Sequence, residues 1–143
     1  MKRACLFALM AVLALCLVAC SAPREEVVED SFTLRFACES EDVYQIFYTY
    51  YIGGERRGMG GAADLDGKEL SPDAPLEVPL FRASFEEGDD LSAFSIDLSP
   101  YGKDDTAARG TTAPLAFPVQ WGGTYNIVLS GDEANGFTAS LAA

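Results

Sequence analysis

The sequence contains no histidine. That absence removes Ser-His-Asp and Cys-His nucleophilic systems, His-ligated zinc and the commonest general base in one stroke. Catalysis would have to rest on carboxylates, lysine, tyrosine or an imported metal. Basic residues are scarce too: 10 Lys and Arg stand against 22 Asp and Glu, a net charge of −12. Binding to nucleic acid depends on neutralising phosphates with such residues, so nucleic acid is excluded as a partner. Beyond the first thirty residues no segment of helical length places apolar residues at helical spacing, and there is no internal repeat or long low-complexity tract.

What is present begins with the amino terminus. Lys2 and Arg3 give a short positive start, and Ala4 to Ala19 then run sixteen positions without a charge. As a helix that run spans roughly 24 Å, short of a hydrocarbon core of about 30 Å. A charged start, a short apolar centre and a small residue before the break describe an export signal. The break, Leu17-Val18-Ala19-Cys20-Ser21, resembles the lipobox of bacterial lipoprotein precursors. The resemblance covers the leader alone. It implies cleavage between Ala19 and Cys20, a diacylglycerol thioether on Cys20 and an acylated new N-terminus. A thiol is nucleophilic enough to take a lipid, and two or three acyl chains, at about 0.8 kcal/mol per buried CH₂, anchor a protein firmly. The address implied is the extracytoplasmic side: the outer face of the plasma membrane, or the outer membrane of a two-membrane bacterium.

This reading reassigns the cysteines. Cys5 and Cys16 leave with the leader, residues 1–19, and Cys20 becomes the anchor, so Cys38 is the one thiol left and forms no internal bridge. The mature chain keeps eight basic residues against all 22 acidic ones, a net charge of −14, which favours solubility and self-repulsion over lying flat on an anionic leaflet. Residues 20–30 are read as the lipidated end and a flexible tether, of which "SAPREEVVED" reaches about 35 Å when extended. Residues 31–143 are one domain's worth of chain.

Within that domain the apolar residues alternate with period two. Phe32, Leu34, Phe36 and Cys38 share a face, as do Phe94, Ile96 and Leu98, then Tyr125, Ile127 and Leu129, then Phe137, Ala139 and Leu141. Two runs, "LEVPLF" and "LAFPVQ", carry Pro79 and Pro118, which belong at sheet edges. "DVYQIFYTYYI" is apolar on both sides and reads as a central strand or a half-exposed aromatic one. Stretches rich in Gly, Asp and Asn, namely "GGERRGMGG", "EEGDD", "SPYGKDDTAARG" and "GDEANG", separate the runs as loops. About seven short strands predict an all-β fold, an antiparallel β-sandwich. "WGGTYNIVLSGDEANGFTASL" is similar to the tyrosine-corner region of immunoglobulin-like sandwiches. On that resemblance Tyr125 is the corner residue, and because Ile127 stands where a cysteine would be, the sandwich implied is free of disulfides.

Candidates for chemistry are few. Cys38, among hydrophobes, reads as an inert buried thiol. Glu86, Glu87, Asp89 and Asp90 of "EEGDD" could supply a carboxylate pair for hydrolysis, but they sit on a loop where charges face water. Asp64, Asp66 and Glu69 around Gly67 are similar to part of a calcium loop, though Leu70-Ser71-Pro72 breaks any following helix and a solvated turn is the plainer reading. Tyr44, Tyr48 and Tyr50 align with Ile46 and Ile52 as core, leaving Val43, Phe47 and Tyr51, with Tyr48, as the candidate binding surface. The expected function is a lipid-anchored, non-enzymatic binding or interaction module that needs no cofactor and meets an envelope protein. The alternatives are a small carbohydrate- or solute-binding domain using strand 43–52 and a carboxylate-based hydrolase.

Overall fold

A computed structural model describes residues 29–142. The cleavage site, Cys20 and the tether up to residue 28 lie outside the described residues. The strands are β1 (Ser31–Cys38), β2 (Gln45–Ile52), β3 (Glu55–Ala63), β4 (Leu76–Phe81), β5 (Phe94–Tyr101), β6 (Leu115–Ala116), β7 (Thr124–Asp132) and β8 (Gly136–Leu141). They form two four-stranded sheets, ordered β4-β1-β7-β8 and β3-β2-β5-β6. The fold is an all-β sandwich with antiparallel ladders throughout, except that β1 and β7 run parallel, from Thr33 opposite Thr124 to Cys38 opposite Leu129.

The period-two pattern is the cause of this architecture. In β1, β2 and β5 every second residue is buried, and these strands lie inside their sheets with neighbours on both sides. Their inward residues, Phe32, Leu34 and Phe36 from one sheet and Ile46, Phe94, Ile96 and Leu98 from the other, meet as one core. Phe32 stands near its centre of aromatic contact. Its ring lies 5.5 Å from Phe94 of the opposite sheet in an edge-to-face pair, and 5.7, 5.6 and 6.1 Å from Phe85, Trp121 and Tyr125. Cys38 is free and buried, so non-covalent contacts hold the described domain together. The Tyr125 hydroxyl accepts the Gln120 N–H at 2.8 Å and closes the corner before β7.

Edge strands sit where proline permits them. β4 is outermost and Pro79 faces Thr33 across its one ladder. β6 is cut to two residues, and past it Phe117 and Val119 donate to the carbonyls of Phe94 and Leu91 on either side of Pro118. With so little of β6 across from β8, Leu141 remains 43% exposed although Phe137 is buried on the same face.

One expectation is corrected. "GGERRGMGG" is a hairpin and a strand rather than a loop. Gly53 and Gly54, at φ 57° and 85°, make a two-residue turn that brings Glu55 opposite Ile52. Positive φ at both central residues is what a type I′ hairpin turn requires. β3 then lays Gly58, Gly60 and Ala62 opposite Tyr50, Tyr48 and Ile46. The two phenols lie across the glycines, where a Cβ would run into either ring. Small residues on an edge strand thus make room for large ones on its neighbour, and the eighth strand follows.

Gly60→Ala is expected to overpack this contact and cost about 1–3 kcal/mol in urea unfolding. The neighbouring Met59→Ala, at a position 61% exposed, should stay within about 0.5 kcal/mol of the parent. Equal midpoints for both would refute the glycine–tyrosine fit.

Candidate functional site

The end of the sandwich at which β1 begins is built from three segments. The first is the connection from β4 to β5. After Phe81, Arg82–Ser84 makes a single 3-10 turn, the chain bends again over residues 86–89, and Leu91–Ala93 makes a second 3-10 turn before β5. Asp90 caps the second turn: its carboxylate accepts the Ser92 N–H at 3.0 Å and the Ser92 hydroxyl at 2.7 Å. The second segment is the Trp121–Gly123 turn leading into β7. The third is the start of the described chain, Glu29 to Ser31. Asp30 O accepts the Arg82 N–H and Ser31 O accepts the Gly122 N–H, each at 2.7 Å, so the chain enters the domain clamped between the other two.

Between the first two segments lies a cavity of about 340 Å³ lined by Arg82, Phe85, Leu91, Trp121 and residues 86–89. Phe85 and Trp121 form its apolar walls, with ring centroids 5.5 Å apart and planes at 80°. The Arg82 guanidinium lies 4.5 Å over the indole and reaches Glu29 O at 3.2 Å. On the far side of Arg82 a shallower groove of about 550 Å³ runs past Asp30, Ala83 and Phe81, the last 55% exposed.

The carboxylate wall is held by a residue from β3, the edge strand of the other sheet. The β2–β3 ladder slips between Tyr50 and Tyr51, leaving Arg57 as an extra residue in a bulge. Arg57 turns toward the 86–89 loop, its side chain 13% exposed, and meets Asp89, 6% exposed. Nε donates to Oδ2 at 2.9 Å and Nη2 to Oδ1 at 2.8 Å, a two-point contact that fixes orientation as well as charge. Asp89 also accepts the Glu86 N–H at 2.9 Å. These bonds, Arg57's foremost, hold the Asp89 carboxyl below the usual carboxylate range against the opposing effect of burial. The same bonds, with a further one to Glu55, raise the Arg57 pKa.

The residues singled out from sequence do not gather here. Val43 is fully buried and Tyr48 is 7% exposed, so neither belongs to a binding surface; Val43 precedes β2 and does not share the outward face of Phe47 and Tyr51, and Tyr48 lies on the core face with Ile46 and Tyr50. Phe47 and Tyr51 are half-buried on the outer face of the β2 sheet. Phe47 packs on Tyr101 at 5.1 Å, and the Tyr51 hydroxyl donates to Asp97 at 2.7 Å, a bond that raises the Tyr51 pKa. Asp64 accepts the N–H groups of Asp66 and Lys68, Asp66 pairs with Lys68, and Glu69 accepts the Asp42 N–H. The three acids therefore serve a turn and a distant backbone group, and no cluster of three or more metal-type ligands occurs among the described residues. The Cys38 thiol is pushed up in pKa by burial, which suppresses its thiolate. "EEGDD" is not merely a solvated tip, since Asp89 and Asp90 are both engaged. Phe85, Arg82 and Trp121 escaped the sequence reading because no local spacing links them. The one signal was a lone tryptophan beside a Gly-Gly turn. Compared with known proteins, the chain matches no family model, no curated protein and no solved structure.

The pair has a pH signature. A carboxylate with a depressed folded-state pKa contributes stability above its unfolded value of about 3.9, and that stability is lost as pH falls through the folded value. The Tm gap between the parent and Asp89→Asn should be constant from about pH 5 to 8 and close as the pH falls below the unfolded value of about 3.9. With no histidine to titrate, the parent's own Tm should be flat between about pH 5.5 and 8. A gap that persists unchanged into acid would contradict the role given to Asp89.

Proposed function

We propose that this chain is a lipid-anchored protein of the extracytoplasmic envelope face, tethered through Cys20, whose domain is a non-enzymatic binding module working through the cavity between Phe85 and Trp121. One observation carries the reading: the cavity and the start of the domain share a wall. Arg82 and the Trp121–Gly123 turn line or flank the cavity and also clamp Asp30 and Ser31. Eight residues separate Cys20 from Glu29, a reach of roughly 30 Å at full extension. A lipid at Cys20 would hold the cavity at the membrane-proximal end of the domain.

Binding is favoured over turnover by how the loop acids are used. Hydrolysis by a carboxylate pair needs two acids free to act across a cleft, whereas Asp89 is neutralised by Arg57, Glu86 lies 3.7 Å from the same guanidinium and Asp90 caps a turn, which leaves Glu87 alone of the four without such an engagement among the described residues. Sugar capture by the tyrosine row is disfavoured because Tyr48 and Tyr50 face the core.

Anchoring is tested by intact-mass measurement of the protein extracted from membranes. The mature chain should begin at residue 20 and carry acyl mass on that residue, and Cys20→Ala should retain the leader and lose the added mass. An unmodified Cys20 in the mature protein would end the proposal.

A further inference from the structure

Resting on the reading of the domain as a binding module, we propose that the Phe85–Trp121 cavity takes an organic cation, an ammonium group carried on a small apolar body. The shape points there first. Two aromatic planes at 80° with centroids 5.5 Å apart form a corner, and the face of an aromatic ring attracts a cation through its quadrupole. Leu91 adds apolar lining. At about 340 Å³ the cavity is near the lower bound of the roughly 300–1,000 Å³ usual for ligand pockets. It suits a small molecule or a single side chain rather than a polymer.

The molecule already shows what the indole accepts. Arg82 rests its guanidinium 4.5 Å over Trp121, and its remaining contacts are exposed and long, at 3.4 Å to Asp30 and 3.2 Å to Glu29 O. A cation from outside would meet the same ring and compete with Arg82 for it.

Charge complementarity selects the sign of the ligand. Glu86, Glu87 and Asp89 line the cavity against one lining cation, Arg82. Arg57 neutralises Asp89, and Glu86 is 3.7 Å from the same guanidinium. Glu87 has no ion-pair partner among the described residues. The chain as a whole carries −12, a field that repels anions and concentrates cations. The Arg57–Asp89 contact fixes the loop before any ligand arrives, which lowers the ordering cost of binding.

The test uses the full protein extracted from membranes in a nonionic detergent, with Trp121 as the reporter, since it is the only tryptophan in the chain. Choline is titrated beside its uncharged carbon isostere 3,3-dimethylbutanol, inorganic phosphate and N-acetylglucosamine. Choline should shift the emission saturably, bind about tenfold tighter than the isostere and weaken with added salt. Glu87→Gln, at an exposed position that leaves the fold intact, should weaken choline binding several-fold. Arg82→Gln, with its fold checked by circular dichroism, should tighten it by removing a like charge and a competitor. Equal binding of the isostere, a response to phosphate or the sugar in place of choline, weaker choline binding by Arg82→Gln, or no change in emission with any probe would each overturn the proposal. None of these outcomes alters the acyl mass at Cys20, so the anchoring claim stands or falls separately.

Discussion

The ring of Phe32 is the contact on which both the sandwich and its cavity depend. It belongs to a central strand of one sheet and meets Phe94 from the other edge to face, and it also touches Phe85 and Trp121, the two walls of the cavity. In a domain whose one described cysteine is free, burial of such rings must supply what a cross-link supplies in small disulfide-bonded domains. The site is therefore an outgrowth of the core. Phe85 faces Phe32 and Tyr50 inward and the cavity outward.

Acidic residues in excess would be expected to strain a domain of this size through self-repulsion. Many are instead put to local use. Asp64, Asp90 and Asp132 accept backbone N–H groups two to four residues ahead, closing turns, and Asp105 accepts the Gly102 N–H three residues back while pairing with Arg109. Asp89 differs because its principal partner comes from thirty-two residues away, and it joins the β3 edge to the wall of the cavity. The bulge at Arg57 is what allows this, since regular pairing would have kept that side chain in step with the pleat.

Much of the fold was legible in the sequence because period-two burial is local. The inward faces of β1, β2 and β5 and the edge positions of Pro79 and Pro118 all follow from alternation and from proline's missing N–H. β3 was misread because glycines signal turns, and the clue lay in pairing: small residues at 58, 60 and 62 complement Tyr50, Tyr48 and Ile46 across a Gly-Gly hairpin. The site was barely legible. Arg57, Phe85, Asp89 and Trp121 are spread over two connections and one edge strand, and only the sandwich topology brings them together. The alternation put Tyr48 on the inward face with Ile46, Tyr50 and Ile52, and its place among the surface candidates went against that pattern; Val43 was misplaced because it precedes β2, where the alternation does not reach.

If Phe32 ties the sheets and the cavity into one unit, they must unfold together. The direct test is urea unfolding of Phe32→Ala followed at once by Trp121 emission and far-ultraviolet circular dichroism. Coincident transitions, displaced from the parent by about 3–5 kcal/mol, are the predicted result. A tryptophan transition that keeps the parent's midpoint while the backbone signal shifts, or a loss within about 0.5 kcal/mol, would contradict the account.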